Sequence, residues 1–141
     1  MDLSTRSLLV AATFLVAARY LPAAEPTTDA LDVVKANLAN DKAILIDVRE
    51  KTEWDEGHLE QADLMPLSRL QLGIDPQDLV KKLRKDKIIY CHCRAGRRSL
   101  VAADILSQLG YQVRPLQQGY EDLLKAGFSK AEKPAESKPQ K

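Results

Sequence analysis

Short apolar runs and helical spacings alternate along the middle of this chain. Leu31, Val34 and Leu38 share one face of a helix that Thr28 can cap. Ala43–Val48 is a continuous apolar run ending at a charge, the mark of a strand buried on both faces. Glu50–Glu56 predicts a short helix stopped at Gly57, and Ala62–Leu67 a short strand limited by Pro66. Asp75 and Pro76 open a further helix, with Leu79, Val80 and Leu83 turned inward. Lys87–His92 is the second clear strand. Residues 98–109 carry the strongest helical pattern, with Leu100, Ala103, Leu106 and Leu109 along one side and Gly110 as the stop. Gln112–Leu116 predicts another strand, and Tyr120 to Ala126 a last helix ended by Gly127. Strands separated by helices form βαβ units, so the expected class is α/β: a four- to five-stranded, mainly parallel sheet with helices on both faces. Such sheets bind ligands beyond the carboxyl ends of their strands, which directs attention to the residues after Val48 and after His92.

The two ends of the chain differ from this middle. Arg6 precedes an uncharged stretch from Ser7 to Ala18, Arg19 closes it, and Ala23 and Ala24 follow before Glu25. Basic, apolar, then small is the order of a secretory signal. The stretch is shorter than the roughly 20 apolar residues that a membrane-spanning helix needs. Residues 1–24 are therefore expected to be a cleaved signal peptide, with export to the periplasm or extracellular space and no stable membrane insertion afterwards. Residues 129–141 are rich in lysine and proline and lack large apolar side chains, which predicts a disordered tail. One domain, 25–128, lies between. With 141 residues and 45% hydrophobic composition, the chain leaves little room for a second core.

A net charge of +1 gives no global signal for nucleic acid or an acidic partner. Only two cysteines occur, Cys91 and Cys93, too few for a disulfide framework and too close together for an unstrained bridge on an extended strand. No spacing fits a zinc site, and no metal or cofactor is expected. Between the second strand and the strongest helix, however, the chain packs Cys93, Arg94, Gly96, Arg97 and Arg98 into one tight turn. The free N–H groups and positive dipole end of the following helix face such a turn and stabilise an anion or thiolate there. Guanidinium groups add to this and match the planar oxygens of a sulfonate or phosphate. Cys93 is thus expected to be an ionised nucleophile, whereas Cys91, inside the apolar strand, reads as a buried structural residue.

Cys93-Arg94-Ala95-Gly96-Arg97-Arg98-Ser99 resembles the C-R-x-G-x-R-S active loop of the rhodanese family. Asp47-Val48-Arg49-Glu50 with Glu53 and Trp54 resembles that family's D-V-R-x-x-x-E-[FW]; Gly57-His58-Leu59 with Ala62 and Pro66 resembles its G-H-I-x-G-A-x-x-x-P; and Leu109-Gly110-Tyr111 resembles its L-G-Y. The resemblance spans about residues 28–127, and the motifs stand in the family's order and spacing. Two departures are Gln61, where the family usually has glycine, and Gln118-Gly119-Tyr120, where it usually has Gly-Gly-Trp.

The resemblance implies a single-domain rhodanese-like fold and a sulfurtransferase working in two steps. Cys93 takes the outer sulfur of a small anionic donor such as thiosulfate, sulfite leaves, and a thiol or cyanide acceptor then removes sulfur from the Cys93 persulfide. A partner protein thiol is an equally compatible acceptor. The backbone N–H groups from Arg94 through Ala95 and Gly96 to Ser99 would hold the charge on the terminal sulfur. Arg94 and Arg97 are assigned to recruit the donor, and Arg98 with Ser99 to shape the loop. Among supporting residues, Arg49 and Glu53 are read as a structural ion pair, Asp47 as a loop-bracing acceptor and His58 as a hydrogen-bonded turn histidine.

Three rival readings accompany this one. His92-Cys93-Arg94-Ala95-Gly96 also resembles the start of the tyrosine phosphatase loop, which opens phosphatase or arsenate reductase chemistry. That loop needs five residues between cysteine and arginine, whereas Cys93 reaches Arg98 with four between. Five do separate Cys91 from Arg97. A non-catalytic sulfur- or anion-binding module is the second rival, and dithiol exchange between Cys91 and Cys93 the third.

Overall fold

The computed structural model describes residues 22–132. The stretch read as a signal's apolar core and most of the predicted tail lie outside these residues. In chain order the elements are α1 (Leu31–Ala39), β1 (Ala43–Asp47), α2 (Lys51–Glu56), β2 (Ala62–Leu64), α3 (Leu67–Leu72), α4 (Pro76–Lys82), β3 (Ile88–His92), α5 (Arg97–Gln108), β4 (Gln112–Pro115) and α6 (Tyr120–Lys125). The strands form one four-stranded sheet in the order β2-β1-β3-β4, and all three pairings are parallel. This is the expected α/β class.

The period-2 alternation of the strands divides the core in two. From β1 and β3, Ile46, Ile89 and Cys91 pack with Leu67 and Leu70 of α3, Leu79 of α4, and Ala102, Ala103 and Leu106 of α5. The intervening residues Ala43, Leu45 and Tyr90 pack with Val34 of α1, Leu123 of α6 and Phe128. Both sheet faces are therefore covered, which explains why β1 and β3 read as continuous apolar runs.

Several local expectations differ from the structure. Helix α1 is capped at Ala30 with no side-chain bond; instead Thr27 Oγ1 accepts the Asp29 N–H at 3.2 Å. Chain that reads as one strand to Leu67 divides at Pro66, because α3 starts immediately after it. Asp75 does cap α4, accepting the Gln77 N–H at 2.8 Å. Val80 is 60% exposed and Leu109 46% exposed, although both were expected to face inward. Leu79, Leu83 and Leu106, expected inward with them, are buried, and Leu109 is the C-cap of α5.

The domain boundaries also shift. Ala24 N–H donates to Asp104 Oδ1 at 2.6 Å and Thr27 N–H to the Pro115 carbonyl at 2.7 Å, so the chain joins the domain at Ala24. Ser129–Ala131, expected to begin a disordered tail, instead pair with the turn after α2. Glu60 N–H donates to Ser129 O, Ala131 N–H donates to His58 O, and Leu59 and Lys130 form an antiparallel bridge. Backbone bonds replace the apolar side chains that this segment lacks. Among the described residues, no helix is long and apolar enough to cross a membrane.

Candidate active site

The order of strands reverses between β1 and β3, since β2 lies outside β1 and β4 outside β3. Beyond their carboxyl ends, this is where a parallel sheet opens a crevice. Asp47 and His92 are register partners at that edge, and Val48 N–H donates to His92 O at 3.0 Å. Cys93 follows directly. The alternation of β3 carries on to it, so its side chain shares the α3–α5 face with Cys91 and is only 1% exposed. The chain then folds back over the sulfur: Gly96 N–H donates to Cys93 Sγ at 3.0 Å, and α5 begins at the next residue.

Two glycines make this return possible. Gly96 caps α5 with φ +87°, in the left-handed region that side chains rarely adopt. Gly119 has an ordinary φ of −83°, but a methyl on it would lie 1.8 Å from Arg94 O. The loop leans directly on the backbone before α6, where Tyr120 N–H donates to Cys93 O at 2.9 Å. Buried Ser99 closes the base of the loop, its hydroxyl donating to Gly96 O at 2.6 Å. Among the described residues, no protein atom accepts from the amides of Arg94, Ala95, Arg97, Arg98 and Ser99. They are free donors at the positive end of a 12-residue helix.

The three arginines of the loop divide into two kinds. Arg94 and Arg97 are exposed and have no acidic partner among the described residues. Arg98 is half-buried and grips Glu53 through two bonds, 2.6 and 2.7 Å. Those bonds, with help from the Glu50 amide, hold the Glu53 carboxyl down at about 2. The brace therefore stays ionised at any physiological pH. It ties the start of α5 to α2 across 45 residues of sequence.

The expected Arg49–Glu53 pair does not form. Arg49 turns instead to Asp47, with Nη2 2.7 Å from Oδ2, and also donates to Gly57 O at 2.8 Å. Both members are buried, and removing one partner of such a pair costs about 3–5 kcal/mol. Strand alternation accounts for the choice, because Asp47 and Arg49 both point to the α6 face, where the guanidinium lies 4.1 Å from the ring centroid of Tyr120. Asp47 additionally accepts the Arg49 N–H at 2.9 Å. His58 is tied into its turn, with Nδ1 3.0 Å from Trp54 O and its ring stacked on Trp54 at 3.6 Å.

The sequence marks His92 as a strand end and as the start of the phosphatase-like motif, with no role of its own. It is fully buried behind the loop, with Nδ1 3.3 Å from Cys93 O and Nε2 3.7 Å from Asp47 Oδ2. Burial pushes its pKa down and keeps the imidazole neutral. Burial also pushes the Cys91 thiol well above its ordinary range, and its Sγ donates to Ser99 O at 3.3 Å. Cys91 and Cys93 are both buried and unbridged.

Two cavities open at this edge of the sheet. The larger, about 650 Å³, is floored by Leu64, Met65, Pro66, Ile74 and Leu79 and includes no residue of the Cys93 loop. The smaller, about 310 Å³, adjoins the loop through Arg94 and is lined also by Arg49, Gly57, Tyr120 and Lys130. Among the described residues there is no cluster of side chains fit to hold a metal ion.

Comparison with known proteins gives a consistent picture. The family model described as "Rhodanese-like domain" matches residues 30–126. The RP600 homolog of Rickettsia rickettsii is 35% identical over 92 residues, 61% of this chain and 72% of that protein. The human single domain sulfurtransferase TSTD1 superposes with a TM-score of 0.61 at 30% identity, covering 72% of this chain and 97% of that one. A rhodanese-related protein from Thermoplasma volcanium gives a TM-score of 0.59 at 26% identity, over 76% and 98% of the two chains.

Proposed function

This chain belongs to the rhodanese-like domain family, and from that membership we propose that it is a sulfurtransferase whose carrier is a persulfide on Cys93. The observation that supports the reading most is the pairing of Cys93 Sγ with the Gly96 amide, under a loop of otherwise free N–H groups at the head of α5. An anionic sulfur on Cys93 would meet donors that need no reorganisation, the arrangement by which enzymes stabilise developing negative charge.

The chemistry follows in two displacements. Cys93 thiolate attacks the outer sulfur of thiosulfate; a new S–S bond forms, the old one breaks, and its electron pair leaves with sulfite. An acceptor thiolate or cyanide then attacks that outer sulfur, and the electron pair of the broken S–S bond returns to Cys93. Exposed Arg94 and Arg97 supply positive charge at the approach, which suits an anionic donor. Arg98, already committed to Glu53, holds the loop instead. The basic, apolar and small order of residues 1–24 supports the further proposal that transfer takes place outside the cytoplasm, in the periplasm or extracellular space.

The test is a direct comparison of two reactions by the full chain. Thiocyanate forms from thiosulfate and cyanide, while a generic aryl phosphate is not hydrolysed above background. The four-residue spacing from Cys93 to Arg98 makes a ring suited to one sulfur rather than a tetrahedral phosphate. Hydrolysis of the phosphate without thiocyanate formation would reverse the assignment.

A further inference from the structure

The larger cavity lies apart from the Cys93 loop and is apolar at its floor. Leu64, Met65, Pro66, Ile74 and Leu79 line a space of about 650 Å³, the size of small-molecule sites in general. Met65 is 3% exposed and Leu79 2%, so the floor reaches the core. The flexible thioether of Met65 can repack around apolar ligands of different shape. Leu64 ends β2, an edge strand of only three residues. So short an edge offers too few backbone groups to hold an extended peptide by strand addition. The shape suits a small, compact apolar body.

The charges at the mouth narrow the choice. Most of them are already engaged. Lys51 pairs with Asp55, and Lys81 Nζ lies 3.0 Å from Asp78 Oδ1. The Glu50 carboxylate accepts the Ser68 hydroxyl at 2.8 Å and also caps α2. Arg69 and Lys82 remain, both exposed and without an acidic partner among the described residues. They come from the last turns of α3 and α4, so two different helices bring a free cation to one cavity. Long basic side chains lay their stems on apolar surface and keep their heads in water. An apolar body seated on the floor would therefore meet positive charge at the opening.

We propose that this cavity binds a medium-chain fatty carboxylate. The alkyl chain lies on Leu64, Met65, Ile74 and Leu79, and the carboxylate meets Arg69 and Lys82 at the mouth. The guanidinium fork matches the two carboxylate oxygens. A neutral alcohol leaves both cations unanswered, and a head of higher negative charge meets Glu50 and Asp78 as well. No residue of the Cys93 loop takes part, so the inference goes beyond the sulfurtransferase reading and stands or falls without it.

Calorimetric titration of the full chain with hexanoate, octanoate, decanoate and 1-octanol tests this. Affinity rises about three- to fourfold with each added methylene, the increment for burying one CH2 group. Octanoate binds about tenfold tighter than 1-octanol. Arg69→Gln combined with Lys82→Gln abolishes that preference and leaves 1-octanol binding unchanged. Ile74→Trp fills the cavity and removes binding of every ligand, with a thermal melt confirming the fold. A readout free of any substitution is Met65, which with Met1 makes up the two methionines of the chain. Its methyl resonance shifts when octanoate is added. An unshifted Met65 methyl overturns the proposal, as do equal affinities for octanoate and 1-octanol in the wild type. So does binding that Ile74→Trp leaves unchanged, which would place the ligand elsewhere on the chain.

Discussion

Replacing Cys93 with serine is expected to reduce sulfur transfer by more than about a thousandfold, with the fold intact, because the covalent carrier disappears while its neighbours stay in place. A serine hydroxyl occupies nearly the same space at the end of β3 and can still accept from the Gly96 amide, which donates to Sγ at 3.0 Å. It cannot hold a sulfane sulfur as a readily discharged S–S bond. The companion substitution, Cys91→Ser, should leave transfer within about twofold of wild type. Cys91 lies two residues earlier on the same face, fully buried, and its Sγ donates to the Ser99 carbonyl, a bond that a hydroxyl can make equally well. Rates of thiocyanate formation by the two variants are the measurement. Similar losses in both would point to dithiol exchange and away from a single carrier.

Gly119→Ala should be nearly as damaging, although residue 119 touches neither sulfur nor donor. Its φ of −83° and ψ of 177° suit alanine, so backbone conformation is not the obstacle. The obstacle is the 1.8 Å between the new methyl and Arg94 O, with Arg94 C at 2.5 Å and Ala95 N at 3.2 Å. All three are backbone atoms, and no rotamer change relieves the contact. The loop must move by an ångström or more, and the Gly96 amide moves with it. Misplacement on that scale costs about a hundredfold in rate, and overpacking about 1–3 kcal/mol in stability. Transfer kinetics and a urea melt together check this. A variant with full activity would show that the loop's geometry does not depend on its contact with the backbone before α6.

The fold was largely legible because it is carried by local patterns. Ala43–Val48 and Lys87–His92 are buried on both faces and read as apolar runs, and the Asp75-Pro76 start of α4 is a capping signal within two residues. Helix α3 was not legible, because it is only six residues long and its first, Leu67, reads as the end of the preceding strand. Val80 and Leu109 were assigned to the wrong side by helical spacing alone, which fixes a face but not its edges.

The candidate site divides in the same way. The Cys93–Ser99 loop is contiguous and could be recognised in sequence, whereas the contacts that hold it are not local. Arg98 finds Glu53 from 45 residues away, leaving Arg49 for Asp47, and no spacing rule distinguishes that pairing from the expected Arg49–Glu53. The approach of Gly119 to Arg94 and the return of Lys130 to Leu59 likewise exist only once the sheet brings the strand ends together. His92 stood out in the sequence only as the start of the phosphatase-like motif, since its place depends on the residues it is buried against.

If the loop after β3 holds a persulfide, Cys93 takes up one sulfur atom from a donor. Incubating the full chain with thiosulfate, removing the small molecules without reductant and mapping the peptides by mass spectrometry tests it most directly. The expected result is a gain of about 32 Da, one sulfur, on the peptide at Cys93, reversed by cyanide and missing in Cys93→Ser. A Cys93 that stays unmodified under those conditions, or a sulfur found on Cys91 instead, would contradict it.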